Sequence, residues 1–162
     1  MAVLLPPDLV AMMARGVSVN VASHDAQLRP SLMRAVGSRV EAQGRDITVY
    51  LSRRQSRQLL QDLAATGRVA AVFSEPSTDR TVQVKASRVQ MRPADESDAG
   101  VLAAYLRSME HEVQLVGFPP PLTRAMLAHN LDDVVAVSFT PEQAFDQTPG
   151  PRAGAVLGGA DR

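Results

Sequence analysis

"ITVYLSRRQSRQLLQDLAATGRVAAVF" (residues 47–73) reads as strand, helix, strand, and its middle raises the question on which the chain turns. Residues 47–52 are apolar and β-branched, as a strand requires. Ser52 and Gln55 stand at capping-box spacing, S-x-x-Q, which predicts a helix starting there. Leu59, Leu60, Leu63 and Ala64 form its buried stripe and Gly67 its stop. Residues 68–76 return as a largely apolar strand ended by Pro76. Three arginines, Arg53, Arg54 and Arg57, fall in the expected first turn. A helix N-terminus carries partial positive charge on its unpaired N–H groups, so cations are disfavoured there. The helix holds no acid before Asp62. Two explanations stand: solvated surface arginines whose cost is small, or an anion at the helix start that reverses the sign.

On the N-terminal side, "PPDLVAMMARG" predicts a helix over 8–15 capped by Asp8, with Met12 and Met13 as core filler and Gly16 as the stop. "VSVNVAS" (17–23) alternates as a strand with one buried face. "HDAQLRP" turns, 31–40 forms a second strand, and "AQGRD" turns again. On the C-terminal side, 81–92 is one long strand, with Val82, Val84 and Ala86 on one face and Gln83, Lys85 and Ser87 on the other. Residues 94–114 form a helix with acids in its first turn, the orientation the dipole favours. "FPPPLTRAMLAHN" supplies a Pro-rich turn and a short helix, and 133–141 a last strand. The organisation is a single domain over 1–162: N-terminal helix 8–15, barrel core 17–92, helices and last strand 94–145, Gly/Pro-rich tail 146–162. Six strands on short connections predict a mainly β, six-stranded antiparallel barrel with two or three flanking helices (α+β).

Composition narrows the function. The formal net charge is zero, which disfavours a generic nucleic-acid binder. None of the six aromatics is interleaved with the arginines as a stacking platform would require. There is one lysine, Lys85, among 17 basic residues, a bias that a GC-rich genome explains. The chain has no cysteine, which excludes disulfides, thiolate catalysis and Cys-based metal centres. His24, His111 and His129 lie far apart without metal-ligand spacing, so no metal site is expected. No apolar run reaches the ~20 residues of a membrane helix. The N-terminus lacks a basic segment followed by a long apolar one, so no membrane partner and a cytoplasmic location are expected. Asp132 and Asp133, as strand neighbours, would point to opposite faces, which argues against a shared acid–base role.

A strand that runs straight into a helix is a ready anion site, because free N–H groups converge there and the dipole adds to them. Ser52 and Ser56 can donate hydroxyls, while Arg53, Arg54 and Arg57 can donate paired N–H bonds to phosphate oxygens. A small phosphorylated ligand fits this stretch better than a polyanion.

The order of three strands, then "SRRQSRQLLQDLAATGRVAAVF", then "RTVQV", resembles the pyridoxamine 5′-phosphate oxidase-like, FMN-binding split-barrel superfamily over roughly residues 15–92. "AFDQTPGPRAG" is similar to an uncharacterised branch of it. The resemblance implies a six-stranded antiparallel split β-barrel that binds FMN as a homodimer with the flavin at the interface. It implies that Ser56, Arg57 and Arg53 hold the phosphate, that Ser31, Met33 and Arg34 run beside the ring and ribityl chain, and that Leu51 and Ser52 contribute from the end of the third strand. It further implies that Gln83 reaches the isoalloxazine ring or its ribityl chain, and that Gln147 and Thr148 contact the flavin from the other chain. Gln58 stands where a phosphate-binding Lys is common, and Ala86 where a Gly often follows the Gln. Authentic pyridoxamine-phosphate oxidases end with a Trp-containing segment and an Arg-x-His pair. This chain has no Trp and its last histidine is His129, so vitamin B6 oxidation is not expected. Three readings remain: an FMN-dependent oxidoreductase with unidentified catalytic residues, a non-enzymatic flavin or haem binding or sensing protein, and a structural dimer with a vestigial site.

Overall fold

The computed structural model describes residues 3–158 and contains two antiparallel sheets with four α-helices. In chain order the elements are α1 (Pro7–Ala14), β1 (Ser18–His24), β2 (Pro30–Arg34), β3 (Gly37–Val40), β4 (Ile47–Ser52), α2 (Arg57–Thr66), β5 (Val69–Ser74), β6 (Thr81–Ala86) and β7 (Gln90–Pro93). They continue as α3 (Glu96–Leu115), α4 (Pro120–Met126), β8 (Val134–Phe139), β9 (Gln143–Asp146) and β10 (Val156–Leu157). The six-stranded sheet runs β10-β9-β6-β5-β1-β2 and the four-stranded sheet β3-β4-β8-β7.

Among the described residues the chain forms ten strands where six were expected, within the antiparallel split-barrel architecture that was expected. Two expected strands each divide where the chain passes from one sheet to the other, and the residues after the last expected strand supply two more. In 31–40 the break falls at Ala35-Val36. The Ala35 N–H donates to Val19 O in the larger sheet, and the next N–H, of Val36, donates to Tyr50 O in the smaller. Both residues are buried, which an alternating strand does not allow for neighbours. In 81–92 the break is the stretch 87–89, so β6 and β7 belong to different sheets. β9 lies against β6, with Phe145 opposite Gln83, and β10 closes that edge.

Three boundaries also move. α1 begins at Pro7 with Pro6 in the cap position, and Asp8 accepts from Arg80 at 2.6 Å instead of capping. The last expected strand spans Val134–Phe139, after a 3-10 turn at Leu131–Asp133. α2 starts at Arg57, not at Ser52, because Asp133 grips the end of β4. The Ser52 hydroxyl donates to Asp133 Oδ2 at 2.7 Å, Arg53 N–H to Asp133 O at 2.6 Å, and Arg54 N–H to Oδ1 at 3.2 Å. These bonds spend residues 53–55 on a turn.

The core fills the space between the sheets with Val17, Val19, Val21, Val49, Leu51, Phe73, Val82 and Val84, and α2 contributes Leu59 and Leu63. α3 covers a second cluster of Val36, Tyr50, Leu102, Val134 and Ala136. A capping box starts α3: Asp95 accepts from Ser97 N–H at 2.9 Å, and Asp98 accepts from Asp95 N–H at 3.0 Å. Asp98 is fully buried and also takes a bidentate contact from Arg92 (2.7 and 2.8 Å) and the Tyr50 hydroxyl at 2.9 Å. One carboxylate thus joins α3, β4 and β7. The Arg92 guanidinium holds its carboxyl well below the usual carboxylate range, while burial, then the Asp98 contact, pushes the Tyr50 hydroxyl up.

Candidate functional site

At the start of α2 the three arginines separate into different roles. Arg54 leans on Asp133, with Nε 3.6 Å from Oδ1. The anion that answers this arginine therefore comes from the loop before β8, far along the chain. The Ser52 hydroxyl bond holds the Asp133 carboxyl below its ordinary value, with the Arg54 N–H and the nearby guanidinium groups acting in the same direction. Arg53 and Arg57 are exposed and make no ion pair among the described residues. Between them Ser56 occupies the N-cap position, only 2% exposed, and its hydroxyl makes no hydrogen bond to the described residues. No side chain caps this helix, and its first turn holds no acid. Free N–H groups of a first turn, an orphaned hydroxyl and two unpaired guanidinium groups are a donor set without an acceptor, the chemistry that a phosphate completes. Beside it a cavity of about 210 Å³ lies between Arg53, Leu60, Met91, Pro93 and Val135.

Of the other site residues from the sequence, Ser31, Met33 and Arg34 lie on β2 and divide between its two faces. Ser31 and Met33 face inward. Ser31 Oγ donates to Asp62 Oδ2 at 2.6 Å, and Gln58 Nε2 donates to Asp62 Oδ1 at 2.9 Å. Asp62 is 4% exposed, so a buried carboxylate fixes both side chains. Sequence reasoning missed this role, although Gln58 and Asp62 carry the i, i+4 spacing of one helix face. Met33 packs against the core.

Arg34 and Gln83 lie on the outward face of the large sheet. The register runs Arg34–Asn20–Val72–Gln83–Phe145 across five strands, which puts three strand spacings, ~14 Å, between the two site residues. Arg34 Nη1 donates to Ser18 Oγ at 2.6 Å. Leu51 points into the core and is fully buried. Thr148 is tied to β6, its hydroxyl accepting from Thr81 N–H at 3.0 Å, and the Gln147 N–H donates to Thr81 O at 2.8 Å. One chain therefore brings together Ser52, Arg53, Ser56 and Arg57, and separately Ser31 with Gln58. Arg34, Gln83, Gln147 and Thr148 lie apart from both groups.

Among the described residues no group of His, Asp or Glu could hold a metal ion, and no helix is long and apolar enough to cross a membrane. No protein-family model and no curated protein matches the sequence. Solved structures do match. A candidate pyridoxamine 5′-phosphate oxidase from Lactobacillus delbrueckii is similar at 16% identity and TM-score 0.53, over 90% of this chain and 99% of the other. An F420 reductase is similar at 17% identity and TM-score 0.52, over 83% and 93%. An FMN-binding protein from Syntrophomonas wolfei is similar at 12% identity and TM-score 0.50, over 88% and 84%. Likeness at these identities establishes the fold.

Proposed function

We propose that this chain, a split barrel of the pyridoxamine 5′-phosphate oxidase-like type, binds FMN and uses it for electron transfer. The observation that carries the reading is the buried, unpartnered Ser56 hydroxyl at a helix start, flanked by the unpaired Arg53 and Arg57. Arg53 and Arg57 would hold the phosphate by charge-assisted bonds, with Ser56 Oγ and the first-turn N–H groups as further donors. The Asp62 carboxylate accepts the hydrogen bond that the Ser31 hydroxyl can donate, so Ser31 presents an acceptor and suits a hydroxyl-bearing part of the ligand better than its phosphate. A bound flavin would supply the two-electron chemistry; the protein's part is to hold and orient it. Solved structures of the same fold that are named for FMN binding and F420 reduction support a flavin-type ligand.

The phosphate cradle and the outward Arg34–Gln83 row lie on opposite sides of the edge strand β2, so a single chain does not enclose a flavin. A homodimer with the ligand between its subunits would close that gap, and Gln147 and Thr148 would then belong to the partner's wall.

The test is the visible absorption spectrum after soaking in FMN or riboflavin and desalting, beside an Arg53→Ala/Arg57→Ala double variant. The expected result is a retained flavin band with FMN, weak retention of riboflavin, and loss of the difference in the variant. At about 1.5–3 kcal/mol per charge-assisted bond, losing both arginines should weaken FMN binding by at least about a hundredfold. Equal retention of FMN and riboflavin would overturn the phosphate assignment. Uptake of haem but no flavin would overturn the cofactor.

A further inference from the structure

The outward face of the large sheet carries a second feature, at the end of β1 and β5 away from Arg34. Ala22 lies opposite Ala70, and Ala70 opposite Lys85, so two adjacent strands offer only methyl groups there. They form the floor of a hollow of about 390 Å³. Three basic side chains stand around it: His24, Arg68 and Lys85. Continuing the register, His24 and Arg68 are cross-strand neighbours and Lys85 is diagonal to Arg68, the separations at which side chains share a ligand. Arg68 and Lys85 are exposed and make no ion pair among the described residues. Lys85 Nζ instead sits 5.1 Å above the centroid of Phe145, a contact that keeps the ammonium over the sheet surface. The opposite wall is acidic, but Glu142 Oε1 accepts from Ser87 Oγ at 2.8 Å, and its carboxyl is held below its ordinary value chiefly by that bond. Glu142 makes no ion pair with Arg68 or Lys85 among the described residues.

Small residues flanked by unpaired cations match a ligand with a short apolar body and one oxyanion group. An inorganic anion would waste the floor, and a long polyanion would meet Glu142. We propose that this hollow binds a small organic anion, its apolar part on Ala22 and Ala70 and its carboxylate or phosphate on Arg68 and Lys85. The site is separate from the α2 cradle, which lies on the other side of the sheet, and it does not depend on the flavin reading. Lys85 lies two residues along β6 from Gln83, ~7 Å away. If a flavin occupies that row, the hollow is placed to hold its substrate.

The experiment titrates benzoate, phenyl phosphate and neutral benzamide into the full, flavin-free chain and follows backbone amide NMR shifts. Saturable shifts around Ala22, Ala70 and Lys85 are expected with benzoate or phenyl phosphate and not with benzamide, and the stronger of the two identifies the oxyanion. Arg68→Ala removes a charge at an exposed position; Ala70→Leu fills the floor and leaves every charge in place. Each should weaken binding by about tenfold or more, with dispersed spectra showing that the fold is kept. No saturable binding, equal binding of benzamide, or wild-type affinity in either folded variant would overturn the proposal. Because no flavin is added, failure of the FMN reading leaves this result interpretable.

Discussion

Replacing Ser56 with alanine separates a helix cap from a ligand contact, because the two roles carry opposite signs in the ligand-free protein. An ordinary N-cap serine contributes about 1 kcal/mol, lost on substitution by alanine. Here the hydroxyl is buried and, among the described residues, bonds no backbone N–H and finds no other partner. An unsatisfied buried polar group costs about 1–3 kcal/mol, so its removal should leave the ligand-free protein as stable as before or more stable, by up to about 1 kcal/mol. For a domain of this size that is a rise in Tm of roughly 0–4 °C. With FMN present the order should reverse. At a hundred times Kd the wild type gains about 2.7 kcal/mol. A variant that lacks one charge-assisted bond binds about tenfold more weakly or worse, and at the same FMN concentration gains about 1.4 kcal/mol or less. Thermal melts followed by circular dichroism, with and without FMN at fixed concentration, read both signs. A ligand-free variant that melts several degrees below the wild type would show that the hydroxyl caps α2 in solution. Equal FMN stabilisation of the two proteins would show that it does not touch the ligand.

The other predictions concern the frame around the site. Asp98→Asn should cost about 2–3 kcal/mol in urea unfolding, since it weakens the Tyr50 bond, the α3 cap and the Arg92 contact at once; a loss under 0.5 kcal/mol would mean that the network is replaceable. Because the Asp98 carboxyl is depressed in the folded state, its contribution is complete above the ordinary carboxylate range, near pH 4, and falls away as pH drops through that range toward the folded value. Unfolding free energies at neutral and acid pH should fall steeply for the wild type and less steeply for Asp98→Asn. Gly67→Ala should destabilise by more than about 1 kcal/mol, because φ is +69° and the new Cβ would meet Ser87 O at 2.9 Å. An unchanged melting temperature would refute the strain.

The fold was legible where a local pattern determines an element. Val17, Val19 and Val21 announce β1, and Gly67, with φ +69°, stops α2 where the sequence places its stop. The resemblance over residues 15–92 pointed to the split barrel that the structure has. What the sequence hid is non-local. An unbroken run of strand-forming residues does not record that Ala35 bonds to one sheet and Val36 to the other. The short strand β9 is stabilised by β6, a partner that no local pattern names. The site follows the same division. The unusual arginines and Ser56 could be read from their positions alone, but Asp133, which claims Ser52 and Arg54, arrives from a distant loop. Asp62 was visible only as the first acid of its helix, and its buried bond to Ser31 depends on how α2 lies against β2.

The order of strands in the smaller sheet also bears on how the molecule assembles. β8 lies between β4 and β7 and is the strand that joins them. β4 pairs with β8 from Ile47↔Phe139 to Ser52↔Val134, across an intervening stretch that contains α2, three strands and both later helices. During synthesis β1, β2, β5 and β6 can pair as soon as they emerge, while β4 and β7 each wait with an open edge for β8. Closing so large a loop before its contacts form should make the docking of β8 slow relative to the local pairings, a delay that stopped-flow refolding would read. A nascent chain halted just before β8 would therefore leave β4, β7 and, awaiting β9, β6 with edges open to aggregation.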